Sequence, residues 1–220
     1  MRDWWASRDF RLQGHEGGFD GDDREAGSRR SRARWRDFLA ATVEEAAVRS
    51  EGTKPDLAAY TTLRRRTMAI HLFYDFAEAG ARFEAPRRAM EDRQITHMID
   101  VSSDLVSHVN DVMSLEKEEA AGEVHNLVMV LQRERHCTRP QAINTIHVQI
   151  NDLLRSSTEA QACLADLARA LGLGEQEEAD LLRYADLMAT MIRGNHDWSR
   201  LTHRYGTQTP RAPALRTTDM

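Results

Sequence analysis

An all-α fold of about seven helices is what this sequence predicts. Three observations carry that expectation. Apolar residues recur three and four positions apart in segment after segment, the spacing that lines one face of a helix. No run alternates apolar and polar residues as a strand does, and no repeat of fixed period occurs. Long stretches are rich in Ala, Leu, Glu and Arg, which are good helix formers, and five prolines and twelve glycines in 220 residues leave room for long helices.

Residues 1–33 predict a disordered or remnant tail, because "GHEGGFDGDDREAGSRRSRAR" is polar, Gly-rich and unperiodic. Its acids Asp20, Asp22 and Asp23 form a cluster, and arginines follow at once. Order is expected from Arg34, where "RWRDFLAATVEEAAVRS" sets Trp35, Phe38, Leu39, Val43 and Ala46 or Ala47 on one stripe. Pro55 opens the next helix. That helix carries Leu57, Tyr60 and Leu63 and runs through "RRRTMAIHLFYDFAEAG", with a kink near Thr67 and an end at Gly80. A short helix over 86–91 precedes a long one. In the long one Ile95, Met98, Ile99, Leu105, Val106, Val109, Val112 and Met113 form the apolar side.

Gly122 interrupts the pattern and "VHNLVMVLQRER" restarts it, with His125 and Asn126 helping the new helix begin. Thr138 is a candidate N-cap with Pro140 in the first turn, and Ile143, Ile146, Ile150 and Leu153 make the stripe of that helix. The last helix shows Leu181, Tyr184, Leu187 or Met188, and Met191 on its inner face. The domain expected from this patterning spans 34–207, and 208–220 is a flexible tail.

Composition excludes several classes. Apolar residues make up 41% of the chain, which suits a sizeable globular core. The formal net charge is −5 with no basic face over the chain, so a nucleic-acid partner is not expected. No apolar run approaches the roughly twenty residues of a membrane span, and "MRDWWASRDFRLQG" lacks the apolar core of a secretory signal. Cys137 and Cys163 show no metal-type pairing and read as reduced thiols of a cytoplasmic protein.

The stretch with chemistry in it is "HVNDVMSLEKEEAAGEVHNL", residues 108–127. Asn110, Ser114 and Glu118 stand four apart, so a helix stacks them on one face over roughly 12 Å of axis, at about 1.5 Å per residue. An amide oxygen, a hydroxyl and a carboxylate are hard ligands that suit Mg²⁺, which keeps waters or phosphate oxygens in its other positions. Asp111 is turned about 100° away and is better placed to orient a neighbour. Taken alone, such a triplet is more often the polar face of a solvated helix. Its surroundings change the weighing. "YTTLRRRTMAI" brings three arginines suited to a diphosphate, and "GNHDWSRLTHRY" brings another beside a tyrosine.

With those four segments in that order, residues 34 to 206 resemble the class I terpene synthases, in particular the bacterial terpene cyclases. "NDVMSLEKE" is similar to the family's second metal motif, and "GEVHNLV" to the stretch that follows it. "WSRLTHRY" resembles the C-terminal Arg-Tyr signature, and "PDLAAYTTLRRRT" the segment with the diphosphate-sensing arginine. Arg64 stands 46 positions ahead of Asn110, the spacing that arginine keeps in the family. The resemblance implies Asn110, Ser114 and Glu118 as metal ligands. It implies Arg64, Lys117, Arg204 and Tyr205 around the diphosphate, with Arg64, Arg204 and Tyr205 assisting ionisation. Phe73, Tyr74, Phe76 and Trp198 are the candidate pocket rings, and Trp198 has the best case because it lies in the C-terminal motif. For these rings core packing is the competing explanation, as solvent or structural pairing is for Arg65 and Arg66, since successive helix positions point about 100° apart. His71, His97 and His147 have no metal-type partners in the sequence.

The family also carries an earlier Asp-rich motif of the DDxxD kind for two further Mg²⁺ ions. No such run occurs here, and Asp20 to Asp23 lie too close to Arg64 to replace it. Where a glycine is frequent at a helix break after the sensing arginine, this chain has Thr67-Met68-Ala69. The resemblance therefore implies a partial class I terpenoid synthase bundle lacking its N-terminal helices, with apolar faces left open to self-association. Three functions stay open. One is a Mg²⁺-dependent cyclase acting on an isoprenoid diphosphate, farnesyl diphosphate first among them, impaired by the missing motif. The second is a non-catalytic diphosphate-binding fragment, and the third a plain helical interaction module.

Overall fold

The computed structural model describes residues 21–202. Among the described residues there are nine helices and no strand: α1 (Gly21–Ser50), α2 (Leu57–Thr67), α3 (Ile70–Ala81), α4 (Arg87–Met90), α5 (Arg93–Ala120), α6 (Leu127–Arg135), α7 (Arg139–Ala162), α8 (Leu164–Ala170) and α9 (Glu175–Leu201). The all-α expectation holds. The count exceeds seven for two local reasons. The segment expected as one kinked helix over 57–80 is two, because Ala69 adopts φ 59° between α2 and α3. A further break at Cys163, where the cap carries φ −92° and ψ 0°, separates α8 from α7.

Helix α5 is the axis of the fold. It packs against α2, α4, α6, α7 and α9. Its first half joins a core with Tyr74 of α3, Leu164 and Ala168 of α8, and Leu181, Tyr184 and Met188 of α9. Its second half, through Val112 and Leu115, joins a second core with Tyr60 of α2, Val128 and Leu131 of α6, and Ala142 and Ile146 of α7. Each fully buried Leu or Ile in these cores contributes about 1.5–3 kcal/mol. Tyr74 and Tyr184 meet edge to face with centroids 5.7 Å apart, and the Tyr74 hydroxyl donates to Ser102 Oγ at 2.7 Å. Tyr74 is thus a core residue rather than a pocket wall.

Capping follows the sequence closely. Asp92 accepts from the Gln94 N–H at the start of α5, and Thr138 forms a capping box with Gln141 and has proline in the first turn of α7. Asn126 caps α6. Gly122, at φ 72°, takes the left-handed position after α5 that glycine adopts without a steric penalty. Helix α3 runs one residue past Gly80. Arg82 takes the left-handed position instead, at φ 54°, as Phe83 turns into the core.

Helix α1 departs most from expectation. It begins at Gly21, ahead of the expected boundary at Arg34. Its early turns are tied down by ion pairs: Arg30 holds Glu78 of α3 through both carboxylate oxygens at 2.9 and 3.0 Å, and Arg34 pairs with Asp75. Burial pushes the Glu78 carboxyl up, and Arg30 opposes that shift. The expected apolar stripe is not the buried one. Ala41 is fully buried, whereas Trp35 is 39%, Leu39 56% and Val43 71% exposed. Trp35 sits edge-on against Phe76 of α3, itself 59% exposed. The arginines turn α1's polar side inward and leave an aromatic and aliphatic face open.

Candidate functional site

The site forms where the last turn of α2 meets the second half of α5. Tyr60 and Arg64 are one turn apart on α2, so both reach the same turn of α5. Arg64 Nη2 donates to Asn110 Oδ1 at 2.8 Å and to Asp111 Oδ1 at 2.7 Å. The Tyr60 hydroxyl donates to Asp111 Oδ2, and the Leu127 N–H of α6 donates to the same oxygen at 2.9 Å. Asp111 is a buried acceptor holding α2 and α6 against α5. Burial works against the Arg64 charge, but the Asp111 carboxylate outweighs it and keeps the guanidinium protonated well above its usual range. Burial, then the Asp111 charge, pushes the Tyr60 phenol well up, so it stays a donor.

The other arginines of the run turn elsewhere. Arg65 forks onto Asp104 at 2.7 and 2.6 Å and reaches Asp100 at 3.0 Å. Arg66 pairs with Asp37 and Glu44 of α1. The helix break comes one turn after Arg64, with the Met68 N–H on the Arg64 carbonyl at 2.9 Å and Ala69 left-handed.

Along α5, Asn110 is half-buried, Ser114 is buried and Glu118 is half-buried. The Ser114 hydroxyl is buried without a hydrogen-bond partner among the described residues, and so is Arg64 Nε. Glu118 Oε2 accepts from Asn126 Nδ2 at 2.9 Å. Lys117 is exposed. Phe73 and Trp198 are each about half exposed, at 52% and 48%. Arg204 and Tyr205 lie outside the described residues, as do Asp20 and the tail 208–220.

No group of three or more His, Cys, Asp or Glu side chains among the described residues is arranged to hold a metal. The Asn110, Ser114 and Glu118 set contains a single carboxylate, so it falls outside that kind of cluster. Its chemistry nonetheless fits Mg²⁺. All three donors are hard oxygens, and a buried hydroxyl without a partner is costly to leave so. Burial pushes the His71 imidazole below its usual value, and His97 Nε2 lies 3.1 Å from Ser156 Oγ.

Asp111's role as orienter was legible in its offset from Asn110. Tyr60 and the reach of Asn126 to Glu118 were not. Tyr60's signal was its i, i+4 spacing to Arg64; Asn126's was its place as the cap after the Gly122 turn.

A family model described as terpene synthase family 2, C-terminal metal binding, matches residues 20–156. The chain is 34% identical over 181 residues to pentalenene synthase of Streptomyces arenae, covering 81% of this chain and 54% of that protein. It is 34% identical over 184 residues to R-linalool synthase of Streptomyces clavuligerus, covering 84% and 55%. Among solved structures, linalool/nerolidol synthase of Streptomyces clavuligerus superposes with a TM-score of 0.76 at 33% identity, over 84% of this chain and 61% of that one. Germacradien-4-ol synthase of Streptomyces citricolor gives 0.72 at 28%, over 81% and 56%. The chain spans about half the length of the relatives it matches in sequence.

Proposed function

We propose a function from one premise: this chain belongs to the terpene synthase family. It binds the diphosphate of an allylic isoprenoid and favours departure of that group, the step that opens terpene formation. The observation that carries the proposal is the buried Arg64–Asp111 pair set against Asn110, with the unpartnered Ser114 hydroxyl one turn along α5.

In this assignment Asn110, Ser114 and Glu118 would hold one Mg²⁺. When bound, that ion supplies Lewis-acid stabilisation of negative charge on the diphosphate. Arg64 donates N–H bonds to the same anion. Because Asp111 and Asn110 already hold its Nη2 end, little reorganisation is needed when charge develops. Lys117, Arg204 and Tyr205 add two cations and a hydroxyl. As the C–O bond breaks, its electron pair leaves with the diphosphate and the carbon becomes an allylic cation. The ring faces of Phe73 and Trp198 attract such a cation.

Farnesyl diphosphate is the substrate we favour. Support comes from a relative named as a farnesyl diphosphate-cyclizing 7-epi-alpha-eudesmol synthase, 31% identical over 175 residues. A solved relative is in complex with 2-fluorogeranyl diphosphate, which supports the wider class. A second function, diphosphate binding with little turnover, is favoured for these 220 residues on their own, which span 54% of the length of the Streptomyces arenae pentalenene synthase. Without the charge of two further divalent ions the barrier rises by several kcal/mol, and each 1.36 kcal/mol is tenfold in rate.

The test is calorimetry of the 220-residue chain with inorganic diphosphate, with and without Mg²⁺, followed by product analysis with farnesyl diphosphate. We expect Mg²⁺-dependent binding, lost in Glu118→Ala and in Arg64→Ala, with little cyclic product. Efficient cyclisation would establish the full activity. Absence of Mg²⁺-dependent binding would refute both functions and leave a helical interaction module.

A further inference from the structure

We infer that Asn126 is a positioning residue for the metal-ligand face of α5, holding the Glu118 carboxylate in place while it caps α6; this rests on the metal role proposed for Glu118. Asn126 is fully buried between α5 and α6. Its Oδ1 accepts from the Val128 N–H at 2.9 Å, the capping bond of α6. That bond decides which end of the amide is oxygen, because an NH₂ group there would face an N–H. The nitrogen end then points at α5. Nδ2 donates to the Asp111 carbonyl at 2.7 Å and to Glu118 Oε2 at 2.9 Å. All the hydrogen-bonding capacity of the amide nitrogen is used.

Residue type matters here. Ser, Thr and Asp cap helices as well as Asn does, but an aspartate offers no donor and a hydroxyl only one. Asn alone accepts the capping bond and still presents two N–H groups. The next backbone N–H, that of Leu127, goes to Asp111 Oδ2 at 2.9 Å. The start of α6 therefore grips α5 at Asp111 and at Glu118, seven residues and two turns apart. The first grip sets the carboxylate that holds Arg64, and the second sets the carboxylate assigned to the metal.

The connecting turn is itself fixed. The Glu123 N–H donates to the Glu118 carbonyl at 2.9 Å across left-handed Gly122, and Glu123 pairs with Arg49 of α1 at 3.1 Å. Glu118 is otherwise a half-buried, flexible side chain near a helix end. Hydrogen bonds of this kind to a ligating carboxylate typically account for 10–100-fold in metal affinity.

The probe is Mn²⁺ uptake in the presence of inorganic diphosphate, read from the electron paramagnetic resonance signal of free Mn²⁺. Asn126→Ser keeps a capping acceptor and removes the donor to Glu118. We expect about tenfold or greater loss of Mn²⁺ affinity, with a fall of no more than a few degrees in the melting temperature from the bond to the Asp111 carbonyl that is also removed. Should Asn126→Ser fail to fold, Asn126→Gly serves, since glycine is accepted at an N-cap with little loss. Unchanged Mn²⁺ affinity, or unfolding of both variants, would each make Asn126 a structural cap and overturn the inference. Failure of the unsubstituted chain to take up Mn²⁺ with diphosphate would instead overturn the proposed function, and this inference with it.

Discussion

Replacing Asp111 with asparagine tests the core of the site through stability alone. The carboxylate accepts from Arg64 on Oδ1 and from Tyr60 and Leu127 on Oδ2. An amide is nearly isosteric but has one accepting end. If its oxygen faces Arg64, its NH₂ group confronts the Leu127 N–H; if reversed, the NH₂ group confronts the guanidinium. Either way a buried donor loses its partner, and Arg64 loses its counter-charge. Removing one member of a buried ion pair costs about 3–5 kcal/mol. Arg64 keeps 16% side-chain exposure and its bond to Asn110, which argues for the lower end, about 3 kcal/mol. Against a typical total of about 5–15 kcal/mol that is a large fraction. Urea unfolding followed by circular dichroism reads it. With m of about 2 kcal/mol/M, the midpoint should fall by about 1.5 M at unchanged slope. The same substitution in an Arg64→Met background should cost only about 1 kcal/mol, because no charge is then stranded. A loss below about 1 kcal/mol in the parent, or an undiminished loss beside Arg64→Met, would refute the account of Asp111 as Arg64's counter-ion.

Ser114→Ala should raise the melting temperature of the metal-free chain, by up to about 1 kcal/mol of stability, since it removes a buried unpartnered hydroxyl. The same variant should weaken Mg²⁺-dependent diphosphate binding; a lowered melting temperature would mean the hydroxyl is bonded after all. Stability should fall as pH drops below 6.5, because His71 and His108 are both pushed below that value, chiefly by burial. The unfolded chain then binds more protons than the folded one, so the stabilisation is complete above 6.5 and is lost as pH falls through the folded values. Comparing midpoints at about pH 7.5 and 5.5 for the parent and His108→Asn isolates one contribution, and equal falls in both would remove His108 from the explanation. The open face of Trp35, Leu39, Val43 and Phe76 should bind a hydrophobic dye and promote association. A dye-silent monomer on size-exclusion chromatography would count against that.

Local features of the chain were legible because each is decided within about one helical turn. The Asn110, Ser114 and Glu118 spacing, the Thr138 cap, the Gly122 turn and the break near Thr67 all follow from side chains and backbone a few residues apart. Arg64 was singled out from its neighbours by family spacing, and Asp111 as orienter by its angular offset on α5. Other features depended on partners far along the chain. Which face of α1 turns inward rests on Arg30 meeting Glu78, 48 positions on, so the stripe of Trp35, Leu39 and Val43 faces out despite its helical period. Tyr60 reaches Asp111 across 51 positions. Asn126 could be read as a cap from its own neighbourhood, but its bond to Glu118 needed the chain to reverse at Gly122 and α6 to settle against α5. Periodicity tells which residues share a face; only the packing of distant helices decides what that face touches, because burial and ion pairing are properties of the assembled neighbours rather than of the segment.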